Sequence, residues 1–137
     1  ARQLDDKVAK STEIVWGDGD LEFVALDACE VLQEQGVFDR WGWPVFQGLH
    51  VLCGFHSLTG DEPHRGRIFA QYLNAGRTVR DAWIRACQDT EGSSTQWAYL
   101  RADAPGVNTY TDHWWGKGSV AGDPDSPTTL YYARGAC

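Results

Sequence analysis

Apolar and polar positions follow two periods along this chain, one of strands and one of helices. Leu21 to Ala28 (LEFVALDA) is apolar at nearly every position and follows the turn Gly17-Asp18-Gly19-Asp20. A continuous apolar run of that length predicts a strand covered on both faces, hence central and parallel. Gly48 to Phe55 (GLHVLCGF) predicts a second buried strand of the same kind. Between them, Cys29 to Gln35 reads as a helix that stops at Gly36. Val37 to Gln47 is aromatic-rich, is interrupted by Gly42 and Pro44, and reads as a loop with one helical turn. Glu13 to Trp16 is a short strand candidate.

The helical period takes over after the polar, turn-rich stretch His56–Pro63. One helix runs from there to Gly76, with Ile68, Phe69, Tyr72 and Leu73 on one face. Thr78 is a candidate N-cap for the next. In that helix Val79, Ala82, Trp83, Ala86 and Cys87 recur at the spacing of one amphipathic stripe. Gly92 to Thr95 breaks it, and Trp97, Tyr99 and Leu100 suggest another strand. From Asp103 on there is no clear period, only strand pieces near Thr109–Trp114 and Thr129–Ala133. Strands alternating with helices predict an α/β fold, a mainly parallel sheet with flanking helices and an irregular C-terminal tail. The organisation expected is a polar segment 1–11, a core 12–102 and an extension 103–137.

Composition narrows the partners. With 137 residues the chain suits one domain, and 12 Lys+Arg against 19 Asp+Glu give a net charge of −7. That balance argues against nucleic acid and anionic membranes, which require a basic face. No apolar run approaches the ~18–20 residues of a membrane span. Seven Trp, no Met and the acidic balance fit a secreted protein. The absence of an initiator Met is read as a mature or trimmed piece of a longer product.

Ligands of parallel sheets bind beyond the carboxyl ends of the strands. The first strand ends in Leu26-Asp27-Ala28-Cys29-Glu30 and the second in Gly54-Phe55-His56-Ser57. If the strands are neighbours, Cys29 and His56 share one rim, and a thiol beside an imidazole is the minimum for nucleophilic cysteine catalysis. Asp27, Gly54 and Ser57 flank that pair as substrate-binding candidates, with backbone N–H groups near Cys29 and Gly54 as oxyanion donors. The bland reading is that Cys29 plugs a strand–helix junction and His56 is a hydrogen-bonded loop residue. The four cysteines form no CxxC pair, and an even number permits a disulfide such as Cys87 to Cys137. His50, inside a strand run, reads as a packed, hydrogen-bonded core residue. Asp18 with Asp20, Asp112 with His113, and Asp123 with Asp125 are candidate ligand pairs for a hard cation, but solvated turn acids are the default. No metal and no cofactor is expected.

The run VALDACEVL resembles the strand-plus-cysteine segment of caspase-like (clan CD) cysteine peptidases, where such a triplet ends a central strand. GLHVLCGFHS is similar to the next strand of that family, and RIFAQYLNAGRTVRDAWIRAC to the paired helices that follow. The resemblance covers roughly residues 12–90. It implies part of a three-layer caspase-like sandwich, with Cys29 as nucleophile and a peptide or protein as substrate. In that family the catalytic histidine precedes the cysteine, in a His-Gly motif. Here the preceding candidate strand ends Val15-Trp16-Gly17, and no histidine occurs before His50. Only Cys29 carries over, and His56 is assigned as base from rim geometry. The competing reading is a catalytically degenerate scaffold for extracellular binding or assembly. In either case an open strand edge predicts pairing with an N-terminal partner segment or with a second copy.

Overall fold

A computed structural model of the chain describes residues 13–137. The polar segment 1–11 lies outside the described residues. The elements are β1 (Phe23–Ala25), a π-helical turn (Phe38–Gly42), β2 (Val51–Phe55), α1 (Arg65–Asn74), α2 (Val79–Thr90), β3 (Gln96–Asp103) and β4 (Thr129–Ala136). Among the described residues no helix is long and apolar enough to cross a membrane.

The fold is α/β, with an open four-stranded sheet in the order β1-β2-β3-β4. The expectation of a mainly parallel sheet is corrected. Among the described strands only β1 and β2 pair in parallel, whereas β2–β3 and β3–β4 are antiparallel. Burial of a strand on both faces fixes its cover and not its direction. All five residues of β2 are buried, and two different covers bury them. Val51, Cys53 and Phe55 pack toward Val79, Trp83 and Cys87 of α2, joined by Phe69 and Leu73 of α1. Leu52 faces the other way, with Ala98, Leu100 and Ala102 of β3, onto Leu32, Val37, Val45, Phe46 and Leu49. Helices thus cover one face and the segment 31–49 covers the other.

Two local expectations also change. β1 is only three residues long and lies at the sheet edge among the described residues, not at its centre. Cys29 to Gln35 forms turns and not a helix. The N–H groups of Glu30 and Leu32 donate to Ser57 and Phe55 carbonyls, both at 2.9 Å. Glu30 is left-handed, with φ 53°. Hydrogen bonds directed across to β2 are unavailable to an i→i−4 ladder. α2, by contrast, buries all five stripe residues, and Thr78 caps it by accepting from the Asp81 N–H at 3.3 Å. The 104–128 segment holds no helix or strand, but the chain after it returns to the sheet as the eight-residue β4. Glu13–Trp16 makes only a bridge from Trp16 to Phe46.

Candidate functional site

Because β1 and β2 are neighbours and parallel, their carboxyl ends share one edge of the sheet. The last link between them is the Leu26 N–H to the Cys53 carbonyl, 2.9 Å. The chain then turns away, leaving Cys29 exposed. Its Sγ lies 3.4 Å from the Thr59 nitrogen, whose N–H it accepts, and 3.4 Å from the Thr59 carbonyl oxygen. The thiol opens into a recess of about 190 Å³ walled by Asp27, Thr59, Gly60, Asp61 and Glu62.

One buried cation organises this recess. Arg65, at the start of α1, has no exposed surface. Its guanidinium pairs with Asp27 on one side and Glu91 on the other. Nε donates to Thr90 Oγ1 at 3.0 Å, and the group stacks 4.8 Å from the centre of the Phe55 ring. Glu91 in turn accepts from the Thr59 hydroxyl at 2.9 Å, the Gly60 N–H at 2.8 Å and the Thr95 hydroxyl at 3.2 Å. Burial by itself would raise the Glu91 pKa. The hydrogen bonds from Thr59, Gly60 and Thr95, together with the Arg65 charge, outweigh it and hold the carboxyl below its ordinary value. The ends of β1 and α2 and the 59–60 loop are therefore fixed to one guanidinium.

The rim residues named from sequence take different places around it. Asp27 is engaged with Arg65. His56 lines an adjoining recess of about 540 Å³ with Glu30, Gln33 and Ser57, and Thr59 borders both recesses. The His56 Nδ1 accepts the Glu34 N–H at 3.1 Å and lies 3.2 Å from the Tyr132 hydroxyl. No hydrogen bond joins the imidazole to the Cys29 thiol among the described residues. The Ser57 hydroxyl accepts the Gln96 N–H and donates to the Leu58 carbonyl, each at 2.8 Å, tying the end of β2 to the start of β3. Gly54 is buried inside β2, and its carbonyl accepts the Trp83 indole N–H at 3.0 Å.

Over residues 1–135 the sequence matches the family model of a domain of unknown function, DUF6345. The chain belongs to the DUF6345 family. No curated protein and no solved structure matches it.

A second cluster in the DUF6345 domain lies at the opposite end of the parallel pair, just ahead of β1 and β2. His50 is fully buried and hydrogen-bonded, as a packed core histidine should be. Its surroundings are the part sequence reasoning missed. Nδ1 lies 2.6 Å from Asp112 Oδ2 and Nε2 lies 3.0 Å from Asp123 Oδ1. Burial lowers the His50 pKa, and the two Asp hydrogen bonds reverse this, leaving it raised. Glu22 sits against the same group; its pKa is raised by burial and by neighbouring Asp123, Asp20 and Asp112, against the pull of His50. Asp112 and Asp123 are visible in the sequence as turn acids, but nothing in their spacing points to a histidine 62 and 73 residues away.

All four cysteines are free thiols. Cys137 packs against the buried cluster that contains Cys87, its partner in the disulfide that sequence permitted.

Proposed function

We propose that the Cys29 rim is a thiol-nucleophile site and that this domain is part of a caspase-like cysteine peptidase. The observation that carries the reading is the setting of Cys29. Its exposed sulfur stands at the carboxyl end of a parallel strand, beside a recess fixed by buried Arg65 and one residue before left-handed Glu30. A left-handed non-glycine residue costs about 1–3 kcal/mol, and such strain clusters at functional sites. In the reaction Cys29 Sγ attacks a peptide carbonyl carbon. The C–N bond breaks, the amine leaves with a proton, and water hydrolyses the thioester.

The base is the part this chain leaves open. His56 shares the rim, and its Nδ1 is engaged with Glu34 and Tyr132, so it serves only through its other nitrogen or after turning. The other source is a strand added beside β1, where the resemblance puts a histidine. An apolar recess of about 220 Å³ lies between β1 and the helices, lined by Phe23, Ala25, Phe69, Leu73 and Trp114. A strand of a partner segment or a second copy would add to the β1 edge. The engaged His56 ring favours a second reading, a non-catalytic scaffold that uses the same edge for assembly.

The test is alkylation of the folded protein with iodoacetamide, mapped by mass spectrometry, beside cleavage of a mixed peptide library. A nucleophile site predicts that Cys29 labels faster than a cysteine in a free peptide and that Cys29→Ser abolishes cleavage. Labelling at the free-peptide rate, with no cleavage, selects the scaffold.

A further inference from the structure

We propose that Glu22, His50 and Asp123 bind one divalent first-row transition cation, with zinc as the best match, and that Asp112 orients the imidazole from behind. The imidazole is already set for this. Its Nδ1 faces Asp112, which is itself 3% exposed and accepts the Ala121 N–H on its other oxygen at 2.7 Å. A carboxylate held against Nδ1 keeps a proton there, as in metal-bound histidine, and a cation taking Nε2 would displace the proton that Nε2 now shares with Asp123.

The donor geometry agrees. One ligand atom each from Glu22, His50 and Asp123 all lie within 4.8 Å of one another. The 3.0 Å between His50 Nε2 and Asp123 Oδ1 is close to the edge of a coordination shell, since bonds of about 2.0–2.2 Å separate neighbouring ligands by about 3.0–3.5 Å. Glu22 and Asp123 reach solvent, Asp123 with 38% of its side chain exposed. A cation therefore has an approach from solvent. Three carboxylates around one imidazole leave an excess of negative charge that a divalent ion neutralises. One nitrogen with carboxylate oxygens suits zinc or manganese, whereas calcium and magnesium prefer all-oxygen shells.

The three ligands come from separate parts of the chain. Glu22 precedes β1, His50 precedes β2, and Asp123 belongs to the 104–128 segment that has no helix or strand. The cation would clip that segment to the sheet. This site lies away from Cys29 and does not depend on the peptidase reading.

The test uses the whole chain, stripped with a chelator and titrated with Zn²⁺ by calorimetry and thermal melting. One Zn²⁺ per chain, a higher melting temperature with Zn²⁺ and none with Ca²⁺ or Mg²⁺ are expected. Asp123→Asn also removes a partner of buried His50, so each variant is compared with its own chelated form, and both Asp123→Asn and Glu22→Gln should lose the Zn²⁺-induced rise in melting temperature. Asp112→Asn should keep a site weakened about 10–100-fold. Cobalt substitution should give visible absorption bands that vanish in Asp123→Asn. Absence of Zn²⁺ binding, or binding unchanged in both Asp123→Asn and Glu22→Gln, overturns the proposal.

Discussion

Arg65 on α1 is ion-paired with Asp27, two residues before Cys29, and no part of the arginine side chain is exposed. A buried guanidinium persists only with partners, and removing one member of such a group typically costs about 3–5 kcal/mol because the others are left uncompensated. Here the residue also bears on Glu91 and, through it, on the loop that touches the Cys29 sulfur. Arg65→Ala is expected to lose about 3 kcal/mol or more in urea denaturation. Arg65→Lys should not restore it, because a single ammonium cannot span two carboxylates as the planar fork does.

The acid limb of stability should trace to Glu91. Its carboxyl is held below its ordinary value in the folded protein, so the unfolded chain binds the proton more tightly. The stabilisation is therefore fully present above the ordinary glutamate range and is lost as pH falls through the lower, folded value. Glu91→Gln should be less stable than the parent at pH 7 and should decline less steeply in acid. Urea midpoints measured from pH 7 down to pH 3 check this, and two parallel curves would show that Glu91 does not carry the effect.

What was legible in the sequence was local. The stripe Val79–Cys87 and its cap at Thr78 need only one turn of chain to reveal themselves, and β2 declares its burial by composition. Three features depended on partners distant in sequence. The direction of β3 is set by the two-helix connection, which returns the chain to the end where β2 finished and pairs Phe55 with Trp97, and the run GLHVLCGF reads the same for either direction. The turns over 29–35 replace a helix because the Leu32 and Glu30 N–H groups meet carbonyls at the end of β2 and just beyond it, Phe55 and Ser57, 23 and 27 residues on. The His50 cluster is closed by Asp112 and Asp123, brought in by a segment with no periodicity at all. Cys29 and His56 do follow the same end of the parallel pair, because that inference required only that β1 and β2 be parallel neighbours, but they line separate recesses and Gly54 is buried within β2.

The cap at Thr78 allows a clean check of a local reading. Its hydroxyl accepts the Asp81 N–H, one of the four amide groups a helix start leaves without a carbonyl. Thr78→Ala is expected to cost about 1 kcal/mol, and Thr78→Ser to recover most of it. The bridge between Thr78 and His113 is a backbone contact and remains in both variants. Equal stability of all three proteins in guanidinium titration would mean that the cap contributes nothing here.

Gly54 couples the packing of the sheet to the position of Cys29. A Cβ at this residue would lie 2.6 Å from Val31 Cγ1 and 3.0 Å from Leu32 Cγ, both in the turns that follow Cys29. The opposite side of β2 carries Trp83, whose indole N–H is bonded to the Gly54 carbonyl, so the strand cannot retreat without breaking that bond. The turn must yield instead. Gly54→Ala should therefore cost about 1–3 kcal/mol, the usual penalty of an overfilled core, and should change the rate at which Cys29 reacts with iodoacetamide. Val31→Ala removes the closest clashing atom. The double variant should then be more stable than the sum of the two single losses, and its Cys29 rate should return toward that of the parent. Additive losses with an unchanged Cys29 rate would show that the turn and the thiol are not coupled through this contact.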